Sequence, residues 1–370
     1  MTKILCVFGT RPEAIKMCPL IKELESREDM RVAVCVTGQH REMLDPVLGE
    51  FRVKAKYDLD VMRASRGLAD ITSRVLLGIT EILSVESYDL LLVHGDTASA
   101  FAAALAGFYL RVPVGHVEAG LRSGDLKSPF PEELNRRGIS LAATLHFAPT
   151  ETAKRALLAE GIEEGRIYVT GNTAIDALRY TVRKDFSHSV LEQAGNRRLI
   201  VFTAHRRESL GTPLEQMLCA LRELALTNED IFVYFPMHKN PTVRASVARV
   251  LGERTERVCL CEPADAHVFH NILARAYLVL TDSGGIQEEA AALRVPTLVM
   301  RDRTERGEGI ECGVLKLVGT RRTDIVRAAE ELLGDRQKRD KMAAAPCPFG
   351  DGKASGRIAD AISEWRAREI

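Results

Sequence analysis

Three carboxylates in one stretch of the chain are placed where protons could be moved. In GHVEAGLRSGDLKSPFPEELNRR, residues 115–137, the apolar run VPVGHV stops at Glu118. A loop rich in Gly, Ser and Pro follows, and it ends on Glu132 and Glu133. Glu is a poor helix cap, so Glu118 directly after a strand-like run has no ordinary capping use. Glu132, after SPFP, also suits a first-turn partner of a helix dipole. Asp96 follows the apolar run of LLLVHGDTASA and reads either as the N-cap of the next helix or as a chemical group. Carboxylates that converge in one cleft raise each other's pKa and can divide acid and base roles between them.

A second set of residues suits an anion. DSGGIQEEA (282–290) is a strand end, a glycine turn and a helix start. Backbone N–H groups and the helix dipole at Ser283, Gly284 and Gly285 hold phosphate well, and the same glycines also serve a tight turn. A full GxGxxG fingerprint is absent, so a nicotinamide dinucleotide is not indicated. Glu289, one helical turn further, is placed for ribose hydroxyls or as a solvated helix charge. In FGTRPEAIKM (8–17), Gly9 makes a turn, Pro12 opens a helix, and Arg11 and Lys16 could reach a diphosphate; Lys16 reads equally as an exposed helix residue. His205 in TAHRRESLG and His238 in FPMHKNP each follow an apolar run, and arginines beside one of them favour an anionic ligand. No Ser/His/Asp set is legible, and the remaining histidines have no metal-ligand spacing.

The composition bounds the partners. Lys plus Arg equals Asp plus Glu at 51 each, so net charge gives no reason to expect nucleic acid or an anionic membrane. None of the eight cysteines lies in a CxxC pair and several sit in apolar runs, as small hydrophobes do. MTKILCVFGT enters Gly and charge too soon for a signal peptide. ASAFAAALAGFYL is too short for a membrane span and reads as a buried helix. These features describe a reduced, cytoplasmic, soluble protein without the cysteine spacing of a structural zinc site.

The elements that must position these residues alternate along the chain. Short β-branched runs (ILCVFGT, VAVCVTGQH, LLLVHGDT, VPVGHVEAG, LHFAPT, IYVTGN) fill the first half. LIVFTAHR, IFVYFPMHKN, VCLCEP, LVLTDSGG, PTLVMRD and LKLVGT follow in the second. Amphipathic segments such as EAIKMCPLIKELESR, LEQMLCALRELAL and TDIVRAAEELL lie between them. Continuous apolar strands separated by helices mean parallel sheets covered on both faces. The chain is therefore read as α/β, with two Rossmann-like doubly wound domains. The boundaries are 1–170, with a helix at about 354–370 packing back on it, and 171–353. Ligands in such sheets bind at the carboxyl ends of the strands, where the residues named above sit.

Taken together, FGTRPEAIKM, QHREML, VHGDT, GHVEAGLRSGDLKSPFPEELNR, TGNTAIDAL, TAHRRES, LTDSGGIQEEA and RDRTER resemble the non-hydrolysing UDP-N-acetylglucosamine 2-epimerases of bacteria. The resemblance runs from about residue 3 to GDGKASGRI near residue 357. It implies the two-domain arrangement of the GT-B glycosyltransferases, with an interdomain cleft and a homodimer. It also implies reversible conversion of UDP-GlcNAc to UDP-ManNAc without cofactor, through loss of UDP to 2-acetamidoglucal and re-addition. By that resemblance Asp96, Glu118 and Glu132 handle protons and His205 lies near the diphosphate. Arg11, Lys16, Arg136, Ser283, Gly284, Gly285, Glu289 and Arg306 hold UDP or sugar, and Phe269 lies near the uracil. Relatives often carry a second, activating UDP-GlcNAc site, which the resemblance places at Gln39, Glu42, Glu133, Arg206 and His238. The chain departs from the family pattern there: Glu42 stands where Gln is common, and Met237 and Lys239 replace Val and Leu. Gly307 stands where relatives have Pro. A GT-B glycosyltransferase, a hydrolysing 2-epimerase and an epimerase of a modified UDP sugar are the competing readings.

Overall fold

The computed structural model describes residues 1–38, 41–64, 67–127, 129–206, 209–252 and 257–369. The chain divides into two units, Met1–Tyr180 with Gly350–Ile370, and Thr181–Phe349. The first runs β1 (Thr2–Phe8), α1 (Arg11–Glu25), β2 (Met30–Val36), α2 (Arg41–Phe51), β3 (Tyr57–Asp58), α3 (Leu68–Val85), β4 (Leu90–His94) and α4 (Ala98–Tyr109). It continues through β5 (Val114–Val117), α5 (Glu132–Ala142), β6 (Leu145–Ala148), α6 (Glu151–Ala159), β7 (Ile167–Val169) and α7 (Thr173–Thr181). The second runs α8 (Ser189–Ala194), β8 (Arg198–Thr203), α9 (Thr212–Thr227), β9 (Ile231–Pro236), α10 (Pro241–Leu251), β10 (Val258–Cys261), α11 (Ala266–Leu273) and β11 (Leu278–Thr281). It closes with α12 (Gly284–Ala292), β12 (Thr297–Val299), α13 (Gly307–Glu311), β13 (Leu315–Leu317), α14 (Arg322–Gly334) and α15 (Arg336–Ala344), before α16 (Ala354–Glu369).

The strand sequences are mostly apolar because both faces of each sheet are covered. In β1, Ile4, Cys6 and Phe8 enter one core cluster with α1 and α16, while Leu5 and Val7 enter another with α3 and α4. In β8, Ile200 and Phe202 face one cluster, and Leu199 and Val201 the other. The period-2 pleat sends alternate side chains to opposite faces, and both faces meet a packed core. α4 lies against its sheet through small residues: Ala100, Ala102, Ala103, Ala104 and Ala106 are fully buried. A Cβ at Gly107 would stand 2.8 Å from Val114 and 2.9 Å from Leu91.

Both sheets are parallel and follow one plan. The first orders its strands β3-β2-β1-β4-β5-β6-β7, and the second β10-β9-β8-β11-β12-β13. The order reverses between β1 and β4 in the first, and between β8 and β11 in the second. A doubly wound sheet opens its ligand crevice at that switch point, beyond the carboxyl ends of the strands. α16 returns to the first unit and places Ile358, Ile362 and Trp365 in one cluster with Met17, Leu20 and Leu24 of α1. Its start is fixed by Asp176 of α7, which accepts from the amides of Ala354 at 3.1 Å and Ser355 at 2.8 Å.

Candidate active site

The loop after β1 turns into α1 through a capping box of Thr10 and Glu13. Glu13 is buried, and one carboxylate oxygen accepts from the amides of Gly9 at 3.0 Å and Thr10 at 2.7 Å. Its other oxygen accepts from the Thr97 hydroxyl at 2.7 Å, so this side chain ties the tip of β1 to the tip of β4. Arg11 thereby becomes the first residue of α1, at the switch point, and Lys16 lies one turn further along the helix.

Beyond β4, Thr97 and not Asp96 caps α4, by accepting from the amide of Ala100 at 3.0 Å. Asp96 is thus left for other work, and it forms an ion pair with Arg136 of α5. Burial raises its pKa, Arg136 lowers it, and the charges of Glu118 and Glu132 raise it again. The turn that carries Asp96 is held by His116 of β5, whose Nε2 lies 2.8 Å from the carbonyl of Gly95, and by Asn135, which donates to the Asp96 carbonyl at 2.8 Å.

Glu118 follows β5 directly, with φ of +63°. A Glu in that left-handed region is strained, and such strain persists where the surrounding structure enforces it. Here the enforcers are Lys16, which forms an ion pair with Glu118, and Asn172, whose Nδ2 donates to Oε2 at 2.9 Å. Nε2 of His94 lies 3.7 Å from the same oxygen. Lys16 is only 18% exposed, which rules out the plain surface-helix reading. Glu132 opens α5, and its Oε2 is buried with no hydrogen-bond partner among the described residues. Its neighbour Glu133 is fully buried and accepts from the amide of Ser123 at 3.0 Å, with Arg136 at 3.4 Å and Arg137 at 3.3 Å. Glu133 therefore braces the loop between Glu118 and α5, and Arg136 joins it to Asp96.

In the second unit, Asp282 at the tip of β11 is fully buried and accepts from the amides of His205 and Arg206, both at 3.0 Å. The His205 ring stacks on that of His238, with centroids 5.5 Å apart, and its Nδ1 is 3.5 Å from Asp282. Ser283 opens α12 without a side-chain cap bond. The Arg306 guanidinium lies over Gly284, where a Cβ would stand 2.9 Å from its carbon. Arg306 donates to Glu288 at 2.8 Å and pairs with Glu305, which also receives Arg206 at 3.0 Å and Arg301 at 2.8 Å. Burial works against the Glu305 charge, but Arg306, Arg206 and Arg301 outweigh it and hold the carboxyl at about 2. An open helix start with guanidinium groups beside it is an anion-binding arrangement. Glu289, one turn into α12, lies 3.5 Å from Nε2 of buried His270, so it is no solvated charge. Phe269 is half-buried beside it on α11.

The structure thus groups Lys16, Asp96, Glu118, Glu132, Glu133 and Arg136 at the β1/β4 switch point. At the β8/β11 switch point it groups His205, Arg206, His238, Ser283, Gly284 and Arg306. Gln39 and the side chain of Glu42 lie outside the described residues. Sequence reasoning missed Glu13, His94, Asn172 and Asp282. Each sits at a strand tip or first turn, but Glu13 reads as an ordinary capping residue, and His94 and Asp282 lie one or two positions from a louder neighbour.

The UDP-N-acetylglucosamine 2-epimerase family model matches residues 22–363. A UDP-N-acetylglucosamine 2-epimerase of Bacillus subtilis is 50% identical over 97% of this chain and 94% of its own. The S. aureus MnaA–UDP co-structure superposes with a TM-score of 0.92 at 45% identity, covering 99% of this chain and 97% of that one. The UDP-GlcNAc 2-epimerase of Neisseria meningitidis bound to UDP-GlcNAc superposes with a TM-score of 0.90 at 42% identity, covering 98% of this chain and all of that one.

Proposed function

The chain belongs to the UDP-N-acetylglucosamine 2-epimerase family, and on that premise we propose that it inverts C2 of UDP-GlcNAc by elimination and re-addition of UDP. The observation that carries this reading is the convergence of Asp96, Glu118 and Glu132 at one switch point, each in a different electrostatic setting. A carboxylate removes the C2 proton while the C1–O bond breaks and its electron pair leaves with UDP. The product pair is 2-acetamidoglucal and UDP. UDP oxygen then re-forms the bond to C1, and a second carboxyl group returns a proton to the opposite face of C2. Two faces need two proton-handling groups, which a single paired carboxylate could not supply.

The diphosphate goes to the start of α12 at Ser283, Gly284 and Gly285, with Arg306 supplying charge and His205 close by; Arg11 and Lys16 of the first unit are further cations for UDP or sugar. The uracil goes to Phe269 and the ribose to Glu289. The structures of the S. aureus and N. meningitidis relatives hold UDP and UDP-GlcNAc, which supports this ligand. The product would feed ManNAc into cell-surface polysaccharide from the cytoplasm. A homodimer is supported by the exposed apolar residues Leu77, Val85, Phe108, Tyr109 and Leu141 on α3, α4 and α5. A second UDP-GlcNAc at Arg206 and His238 would activate the enzyme.

Proton NMR of UDP-GlcNAc with the purified protein in D2O tests the reaction. The expected result is UDP-ManNAc with deuterium at C2 and little free UDP. Free UDP with free ManNAc would mean the hydrolysing reaction instead. No exchange by folded protein that still binds UDP would send the assignment to a modified sugar or a transferase.

A further inference from the structure

Among the described residues, Lys16, Asn172 and His94 all approach one oxygen of Glu118. Lys16 pairs with Oε2, Asn172 donates to it at 2.9 Å, and Nε2 of His94 stands 3.7 Å away, beyond hydrogen-bond range. His94 is 3% exposed, and neither of its ring nitrogens has a hydrogen-bond partner among the described residues. A buried polar atom left unpaired is costly, because it has given up its water without gaining a partner. His94 is held there by register: it pairs with Val117 across β4 and β5, so the next residue, Glu118, comes up beside the ring.

Lys16 has two calls on its charge. One is Glu118, and the other is the diphosphate that the proposed reaction brings, which carries more negative charge than a single carboxylate. We propose that His94 is a positioning residue that takes over Oε2 of Glu118 when Lys16 turns to the diphosphate of the bound nucleotide sugar. The proposal rests on the epimerase reaction described above. Catalytic contacts of this kind are commonly long in a free enzyme and tighten in the substrate complex.

The exchange has a chemical consequence. A cation beside a carboxylate favours its charged form, and withdrawing that cation raises the affinity for a proton. Among the described residues, the charged and titratable groups around Glu118 include Lys16 from α1, His94 and Asp96 from β4 and its loop, and His116 from β5. Of these, His116 is committed to the Gly95 carbonyl and Asp96 to Arg136. Burial pulls His94 down to about 4, so near neutral pH it is an uncharged ring that donates one hydrogen bond. Replacing Lys16 by His94 keeps Glu118 aimed, together with Asn172, while removing the positive charge that suppresses its basicity. Glu118 is then a weak base in the free enzyme and a stronger one once the nucleotide is bound.

The test compares wild type with His94→Phe and His94→Gln, using UDP-GlcNAc as substrate and UDP as the binding probe. His94→Phe is expected to lower kcat by roughly one to two orders of magnitude, with KM and the UDP Kd within about twofold of wild type. His94→Gln, whose amide nitrogen reaches toward the Nε2 position, is expected to restore most of the rate. A His94→Phe rate close to wild type, or a His94→Gln rate as low as that of His94→Phe, would overturn the proposal. A crystal structure of the wild-type protein with UDP needs no variant. It is expected to show Lys16 on a phosphate oxygen and Nε2 of His94 within about 3.2 Å of Oε2. Lys16 still seated on Glu118 would overturn the exchange. Wild type that makes no UDP-ManNAc would remove the reaction itself. Wild type that turns over at the same rate as His94→Phe would remove only the role of His94.

Discussion

Arg306 occupies the space that a side chain at Gly284 would need: a Cβ there would lie 2.9 Å from both Cζ and one terminal nitrogen of the guanidinium. The glycine of this turn is therefore required for the approach of a cation, since its own φ is not in the left-handed region. Gly284→Ala is expected to push Arg306 off the start of α12 and weaken UDP binding about tenfold, the scale of one charge-assisted hydrogen bond. Titration calorimetry with UDP checks this, and Gly334→Ala at the end of α14, which meets open space away from the site, is the control.

The carboxylates at the other switch point are expected to separate binding from turnover. Glu132→Gln and Glu118→Gln each preserve shape and remove proton transfer. Both are expected to lower kcat by roughly 100-fold or more, while leaving UDP affinity within a few-fold. The deuterium exchange assay then assigns faces. A variant that still exchanges C2 of one epimer but not of the other identifies the group that serves the second face.

Glu13 makes a prediction about stability rather than chemistry. Its carboxylate satisfies Gly9, Thr10 and Thr97 from a buried position. Glu13→Ala leaves those donors unpaired and is expected to cost about 1–3 kcal/mol or more, read as a fall in the urea midpoint. Glu13→Gln keeps an acceptor and is expected to lose less. Because Glu13 joins the Arg11 turn to the Asp96 turn, both variants are also expected to lower kcat.

Acid stability follows from three buried histidines. Burial pulls His94 down to about 4, and His116 and His146 each to about 3. In the unfolded chain each titrates near 6.5. The unfolded state therefore binds more protons between about pH 6.5 and pH 3, and stability rises with pH through that window. Their contribution is complete above about pH 7 and is lost as pH falls below 6.5, by up to about 1.4 kcal/mol per pH unit for each ring. Urea denaturation at pH 7.5 and pH 5 measures the difference. His146→Leu is expected to reduce the slope by about a third of the histidine contribution; an unchanged slope would contradict the assignment.

Much of the fold was legible because parallel strands covered on both faces leave a continuous apolar run. The runs ending at Phe8, His94, Val117, Thr203 and Thr281 all became strands. β3 was not legible: Tyr57 and Asp58 form a two-residue strand defined only by its register with Cys35 and Val36. At the site, Glu118 stood out because Glu has no local reason to follow a strand. Asp96 stayed ambiguous until Thr97 proved to be the cap. Asn172 and His94 were invisible because their role lies in reaching Glu118 from 54 and 24 residues away, a relation that spacing along the chain does not encode.

The return of α16 to α1 sets an order of assembly. All strands and helices of the second unit lie within Thr181–Phe349, so on the ribosome that unit has its whole sheet before α16 is translated. The first unit has its sheet earlier but waits for Ile358, Ile362 and Trp365 to cover Met17, Leu20 and Leu24. A nascent chain arrested before residue 354 would carry that stripe of α1 uncovered, and chaperones that recognise apolar surface would find it there.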